Sequence, residues 1–261
     1  MRKFILLFFS LLLTSSLFSG ELVIEGIYQG KNLYVMNPFS PSGVGYCIYE
    51  VSVNGQVSSD EINSSAFEID LSVYQFNVGD KIIIRIKHKE NCQPKILNAE
   101  VLKPKSTFET KSIKVTKDGY LEWTTTNESG SLPFIVEQYR WNKWVKVGEV
   151  EGKGTSGTNS YRVKVHPHSG SNRFRVKQVD YTKKPRYSKE VRYRCMDPVV
   201  TYSPKKPSTE ITFSRETMYE IYDFYGHIVL KGYGAKVDVS GLKKGEYFLN
   251  YDAVTVTFKK K

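Results

Sequence analysis

The chain has 261 residues and a formal net charge of +11, from 38 Lys and Arg against 27 Asp and Glu. Aromatic residues make up 13% of it, and Val, Ile, Thr and Ser are frequent. These residues suit a pleated, half-buried surface and no helical apolar stripe runs through the chain, so helical bundles are excluded and the expected class is all-β.

At the N-terminus, Arg2 and Lys3 precede an apolar run from Phe4 to Leu13, and small residues follow as far as Gly20. This is the pattern of a cleaved secretory signal peptide, residues 1–20. The run is shorter than the roughly 20 residues that a membrane-spanning helix needs, and no later stretch approaches that length. The expectation is an exported mature chain with no transmembrane segment, in the periplasm, associated with the outer membrane or at the cell surface. Nucleic acid is excluded as a partner for such a chain. The remainder, about 240 residues, has room for two domains or three small ones.

Residues 21–105 read as one N-terminal β-sandwich. ELVIEGIY, NLYVMN, YCIYEVSV, AFEIDL and DKIIIRIKH alternate or run apolar over strand lengths, with turn residues between them. Asn54-Gly55 predicts a two-residue hairpin, because a type I′ turn needs positive φ at both central positions. Cys47 lies in one apolar strand and Cys92 follows another. A disulfide between them is one reading and two buried thiols acting as small hydrophobes the other. Cys195 is the third cysteine, so at least one thiol stays outside any pair within the chain.

Residues 106–196 hold 18 Lys and Arg against 9 Asp and Glu, so most of the net charge sits here. An exported basic module meets envelope polyanions or an acidic protein face; plain solubility is the alternative. Trp123 is expected as a large core ring with a partner for its indole N–H. NRFRVKQVD alternates, with Phe174, Val176 and Gln178 on one face and Arg173, Arg175, Lys177 and Val179 on the other. With Lys183, Lys184 and Arg186 the second face is a candidate anion-binding surface. The segment NRFRVKQVDYTKKPRYSKEV resembles the Tyr-Arg-Leu-Lys-Gln-Val-Asp … Tyr-Ser segment that closes fibronectin type III modules in large secreted proteins of Bacteroidota. Phe174 stands at the aromatic place, Val176 at the leucine place and Tyr187-Ser188 at the final pair. YTKKP replaces the usual Asp-Gly turn.

Residues 197–261 contain a Tyr222-Asp223-x-x-Gly226 turn, then Leu242-x-x-Gly245-x-Tyr247, then a strand ending in Lys259, Lys260 and Lys261. Gly226 and Gly245 are expected in tight turns, Leu242 and Tyr247 in the core, and the three lysines in solvent. This arrangement is similar to the type A C-terminal sorting domain of type IX secretion, although YSPKKPS stands where that family has Tyr-Pro-Asn-Pro. The resemblance implies a small sandwich recognised by an outer-membrane shuttle and translocon, with anionic lipopolysaccharide as a further partner of the exported chain. The fold expected for the whole chain is therefore three consecutive small β-sandwich (Ig-like) modules after the signal peptide. Their order also resembles the PorA-like sorting-domain proteins, which implies a component or signalling partner of the secretion machinery.

The search for chemistry returns nothing catalytic. His166-Pro-His168 places two imidazoles near each other, short of the three or four ligands a zinc site needs. There is no nucleophile elbow and no phosphate loop. No metal, no cofactor and no enzymatic activity are expected. Trp141 and Trp144 flank a turn and are candidates for stacking on sugar rings, with a hairpin whose rings cover the sandwich as the alternative. The expected function is a non-enzymatic interaction module of the type IX envelope machinery; the alternative is a small secreted adhesin or carbohydrate-binding cargo.

Overall fold

The computed structural model describes residues 20–261; the signal peptide expected at residues 1–20 lies, apart from Gly20, outside the described residues. The described chain is all-β, with strands joined by turns and two short 3-10 segments. It divides into two compact units, one of residues 20–77 and Lys81–Leu102, the other of Lys103–Lys261 with Val78–Asp80.

The first unit contains β1 (Gly20–Ile27), β2 (Leu33–Met36), β3 (Ile48–Val53), β4 (Gln56–Val57), β5 (Ala66–Ile69), β6 (Lys81–His88) and β7 (Lys95–Ile96). They form two antiparallel sheets, in the orders β1-β6-β3-β4 and β5-β2-β7. The alternation in β6 settles which face is inside: Ile82, Ile84 and Ile86 are buried while Lys81, Ile83 and Arg85 are exposed. They join Leu33, Val35, Val53, Ile69 and Leu71 in one core. Each such side chain contributes about 1.5–3 kcal/mol of transfer free energy. The β3–β4 turn has Asn54 at φ 50° and Gly55 at φ 85°, the conformation expected of a two-residue hairpin. Asn37 is fully buried between loops, where Nδ2 donates to Ile62 O and Oδ1 accepts from Ile48 N. Cys47 and Cys92 form a disulfide with Cα atoms 5.7 Å apart.

The second unit holds two cores. Around the first lie β8 (Glu109–Val115), β9 (Tyr120–Thr126), β10 (Pro133–Arg140), β11 (Lys143–Glu151), β12 (Asn159–Lys164), β13 (Gly170–Val179), β14 (Pro185–Tyr187) and β15 (Val191–Cys195). One sheet runs β12-β9-β8; the other runs β11-β10-β13, with β13 pairing in turn with β14 and β15. Phe174, Val176 and Gln178 point inward as the alternation requires, against Trp123, Phe134 and Tyr161. Trp123 stacks on Tyr161 and meets Phe134 edge-on, pairs worth about 0.5–1.5 kcal/mol each beyond the area they bury. Its indole N–H, expected to have a partner, has none among the described residues. The aromatic packing holds the ring, so the missing bond is tolerated. Glu128, 2% exposed, is satisfied by Thr125, by Tyr161 Oη and by Gly154 N.

Around the other core lie β16 (Tyr202–Ser203), β17 (Glu210–Tyr222), β18 (Ile228–Asp238), β19 (Gly245–Tyr251) and β20 (Val254–Lys260). They hydrogen-bond as a single sheet, β16-β17-β19-β20, with β18 on β17. Thr212 pairs with Lys236 and the next pair is Thr217 with Gly234, so residues 213–216 of β17 face a single residue of β18. Such a bulge bends the strand, and both halves of β17 then supply the same core, through Ile211 and Phe213 on one side and Ile221 on the other.

Candidate functional site

The β17–β18 hairpin carries the first part of the C-terminal motif. Asp223 builds its turn: Oδ1 accepts from Tyr225 N and His227 N, and the backbone closes through Asp223 N to His227 O and Gly226 N to Asp223 O. These bonds, the one from His227 N first, hold the Asp223 carboxyl below the usual range. Gly226 sits at φ 82° with open space where a Cβ would stand. The consequence is a hydrogen-bonded tip whose two intervening rings meet each other edge-on and lie in solvent: Phe224 is 75% exposed and Tyr225 83%. Behind the tip, Tyr222 donates to Glu220 Oε2 and receives a bond from Lys143 Nζ, itself 2.7 Å from that carboxylate.

The second part of the motif lies on the β18–β19 connection, on β19 and at the end of β20. Leu242 packs on the last core and its N–H bonds Val239 O; Tyr247 is buried against Phe258 and donates to Lys243 O. Gly245 opens β19 at φ 156°. Lys259 and Lys261 are exposed, but Lys260 is only 6% exposed, contrary to the expectation for all three. The reason is the period of the strand. Lys260 follows Phe258 by two, so its stem lies on the core side while Nζ reaches back to Lys261 O.

The proposed anion face on the first sandwich of this unit is largely consumed by internal pairing. Arg173 pairs with Glu190, Arg175 and Lys177 both pair with Glu137, and Arg186 Nε donates to Phe108 O. Of the two tryptophans about the β10–β11 turn, Trp144 meets the same side chains. Trp144 carries the guanidinium of Arg175 at 4.0 Å from its centroid and that of Arg173 at 5.4 Å, and Arg175 also lies 4.0 Å from the Tyr187 ring. Trp141 has Arg140 at 5.6 Å.

Between the two cores of this unit lies a polar cleft of about 410 Å³ that the sequence reading does not anticipate. Two of its lining residues, Arg140 and Arg215, end a chain of hydrogen-bonded polar groups beside it. Arg140 Nε donates to Gln138 Oε1, Gln138 Nε2 to Asn172 Oδ1, and His168 N to the same oxygen. Ser169 N then donates to Asp252 Oδ1, Val200 N to Asp252 Oδ2, and Arg215 Nη2 to Ser169 Oγ. Asp252 stands at φ 45° in the β19–β20 turn and is 1% exposed. Burial alone would raise its pKa, but the bonds from Ser169 and Val200 and the nearby Arg215 outweigh that and lower it. Burial pushes Arg140 down to about 10 and also lowers His168. His166 and His168 do not converge: His166 lies against the Tyr233 ring and His168 Nδ1 contacts Ser169 O. Among the described residues no group of three or more His, Cys, Asp or Glu is placed to hold a metal. The sequence signal for this cleft is the inward face of β10, where Gln138 and Arg140 continue the row of Phe134 and Val136.

Residues 203–261 match the family of secretion system C-terminal sorting domains. No curated protein matches the chain. Among solved structures, a tetra-tandem repeat in the extending region of a large adhesion protein aligns over 93% of this chain and 73% of its own, at 11% identity and a TM-score of 0.32. Dimeric latent PorU from Porphyromonas gingivalis aligns over 93% and 30%, at 13% identity and 0.23. The FN1–FN3 domains of chicken CNTN1 align over 91% and 97%, at 12% identity and 0.25.

Proposed function

We propose, from the secretion system C-terminal sorting domain that residues 203–261 of this chain are, that the protein is a non-enzymatic cargo of type IX export which works in the envelope as an interaction module. The finer reading is PorA-like: the sorting domain stays on the chain and engages the outer-membrane shuttle or translocon, while the N-terminal unit addresses a second protein. The observation that carries it is the tip at Phe224 and Tyr225. Two aromatic rings held in solvent by a hydrogen-bonded Asp223–Gly226 turn are costly unless another protein covers them, since large rings are the usual anchors of an interface. This tip is the feature we assign to contact with outer-membrane proteins.

The experiment is crosslinking and co-purification from a type IX-competent bacterium, with the full chain compared with Phe224→Ala/Tyr225→Ala. Neither ring packs on a core, so the double variant is expected to melt like the parent. It is expected to lose most of the co-purifying outer-membrane β-barrel protein. Equal recovery from the two proteins would sink the assignment of the tip, and failure of the full chain to recover any such protein would sink the component reading.

A further inference from the structure

Among the described residues, six buried side-chain atoms have no hydrogen-bond partner, and only two of them belong to charged groups: Arg140 Nη1 and Arg215 Nε. Both residues line the cleft between the two cores of the second unit. They come from different elements. Arg140 ends β10, where it is 3% exposed; Arg215 stands in the β17 bulge, which turns it out of the ladder and toward the cleft. The other donors of both are spoken for. Arg140 uses Nε on Gln138 and Nη2 on His166 O; Arg215 uses Nη1 on Asp197 and Nη2 on Ser169 and Pro198 O.

The acidic groups nearby do not accept from these two nitrogens. Asp252 accepts from Ser169 and Val200 and stands 3.7 Å from Arg215 Nη2. Glu216 shares a hydrogen bond with the Tyr233 phenol. Asp197 pairs with Arg215 and Asp118 with Arg162. Lys117, Lys164 and Arg194 add three further cations to the lining. A buried guanidinium nitrogen without an acceptor is rare in folded proteins, and two arginines from separate strands that each keep one and line the same cleft suit a ligand that presents more than one anionic oxygen. The cavity lies in the size range of small-ligand sites.

We propose that this cleft is a binding site for a small oxyanion, a carboxylate or a phosphate group, clamped by Arg140 of one sandwich and Arg215 of the other. Because each sandwich supplies one arm, the bound anion fastens the joint between them.

The test is thermal melting and titration calorimetry of the full mature chain in sodium phosphate and in sodium succinate, each against sodium chloride at equal ionic strength. A ligand that binds only the folded chain raises its melting temperature by mass action; at tenfold over Kd the rise expected for this size is about 3–5 °C. Calorimetry is expected to give one site per chain. A response to phosphate alone identifies a phosphate-bearing ligand, to succinate alone a carboxylate, and to both the shared chemistry. Arg215→Gln, whose side chain is about one-third exposed, is expected to fold and to weaken binding at least tenfold. Arg140→Lys is expected to do the same; if it does not fold, Arg215→Gln decides. Lys206→Gln/Lys244→Gln, on the lysine-rich end of the last sheet, is expected to leave binding unchanged. No shift beyond chloride with either anion overturns the proposal, as does an equal shift in Arg215→Gln.

Discussion

Two titratable side chains in the junction of the second unit give it a defined response to acid. His168 is held neutral by burial, with Arg140 acting in the same direction, so its folded pKa lies below the unfolded value of about 6.5. A depressed pKa contributes stability that is present above the unfolded value and is lost as pH falls through that window. Asp252 is likewise depressed, and its contribution persists until pH drops below the unfolded value of about 3.9. Melting temperature is thus expected to decline in two steps, one beginning near pH 6.5 and one below about pH 4. His168→Gln should flatten the first step. Asp252→Asn should flatten the second and cost about 1–3 kcal/mol at pH 7, because an amide oxygen with an amino group beside it cannot accept from both Ser169 N and Val200 N. Urea denaturation of the three proteins between pH 8 and pH 3 checks both; identical pH slopes in all of them would show that neither group governs the joint.

Elements were legible in the sequence where one period ran unbroken. The alternation around Phe174 and Val176, the Asn54-Gly55 hairpin and the Asp223–Gly226 turn all rest on interactions within a few residues, so local chemistry suffices to read them. Sheet order does not, and neither does the joint: Ser169 and Asp252 are 83 residues apart, and nothing local to either announces the other. Lys260 shows the opposite failure, where the charge argued for solvent but the strand period put the stem inside. Two expected outcomes belong to this scale. Gly226→Val forces a β-branched residue to φ 82° with no compensating contact, at a cost of about 1–2 kcal/mol or more, and should loosen the tip without disturbing the last core. A drop in melting temperature with retained near-ultraviolet circular dichroism would agree; no change in stability would refute the strain. The Cys47–Cys92 bridge closes a loop of 45 residues, which in the chain-entropy model stabilises the first unit by about 4 kcal/mol. Alkylation and mass spectrometry of the exported protein should find one thiol, at the buried Cys195 and only after unfolding; three labelled thiols would exclude the bridge.

For the whole molecule, the division into units changes how the sorting domain is expected to travel. On sequence grounds residues 197–261 read as a separate small sandwich recognised by the secretion machinery. In the structure they belong to the same compact unit as the preceding sandwich. Asp252, Arg215, Glu220 and Tyr222 of the last sheet are tied to Ser169 and Lys143 of the one before it. Cutting at residue 197 therefore separates Asp252 from Ser169 N, and Arg215 from Ser169 Oγ, while Arg140 and His168 stay on the other piece. Removing one partner from a buried charged network costs on the order of 3–5 kcal/mol, a large share of the stability of a small domain. A fluorescent protein fused to residues 103–261 is accordingly expected to reach the cell surface of a type IX-competent bacterium efficiently. The same reporter fused to 197–261 alone should be exported poorly, with proteolysis in the periplasm, and Asp252→Ala in the longer fusion should move it toward the shorter one. Fractionation with surface protease accessibility reads all three. If 197–261 alone delivers the reporter as well as 103–261 does, the address is autonomous, and the buried joint serves only the mature chain after it has arrived.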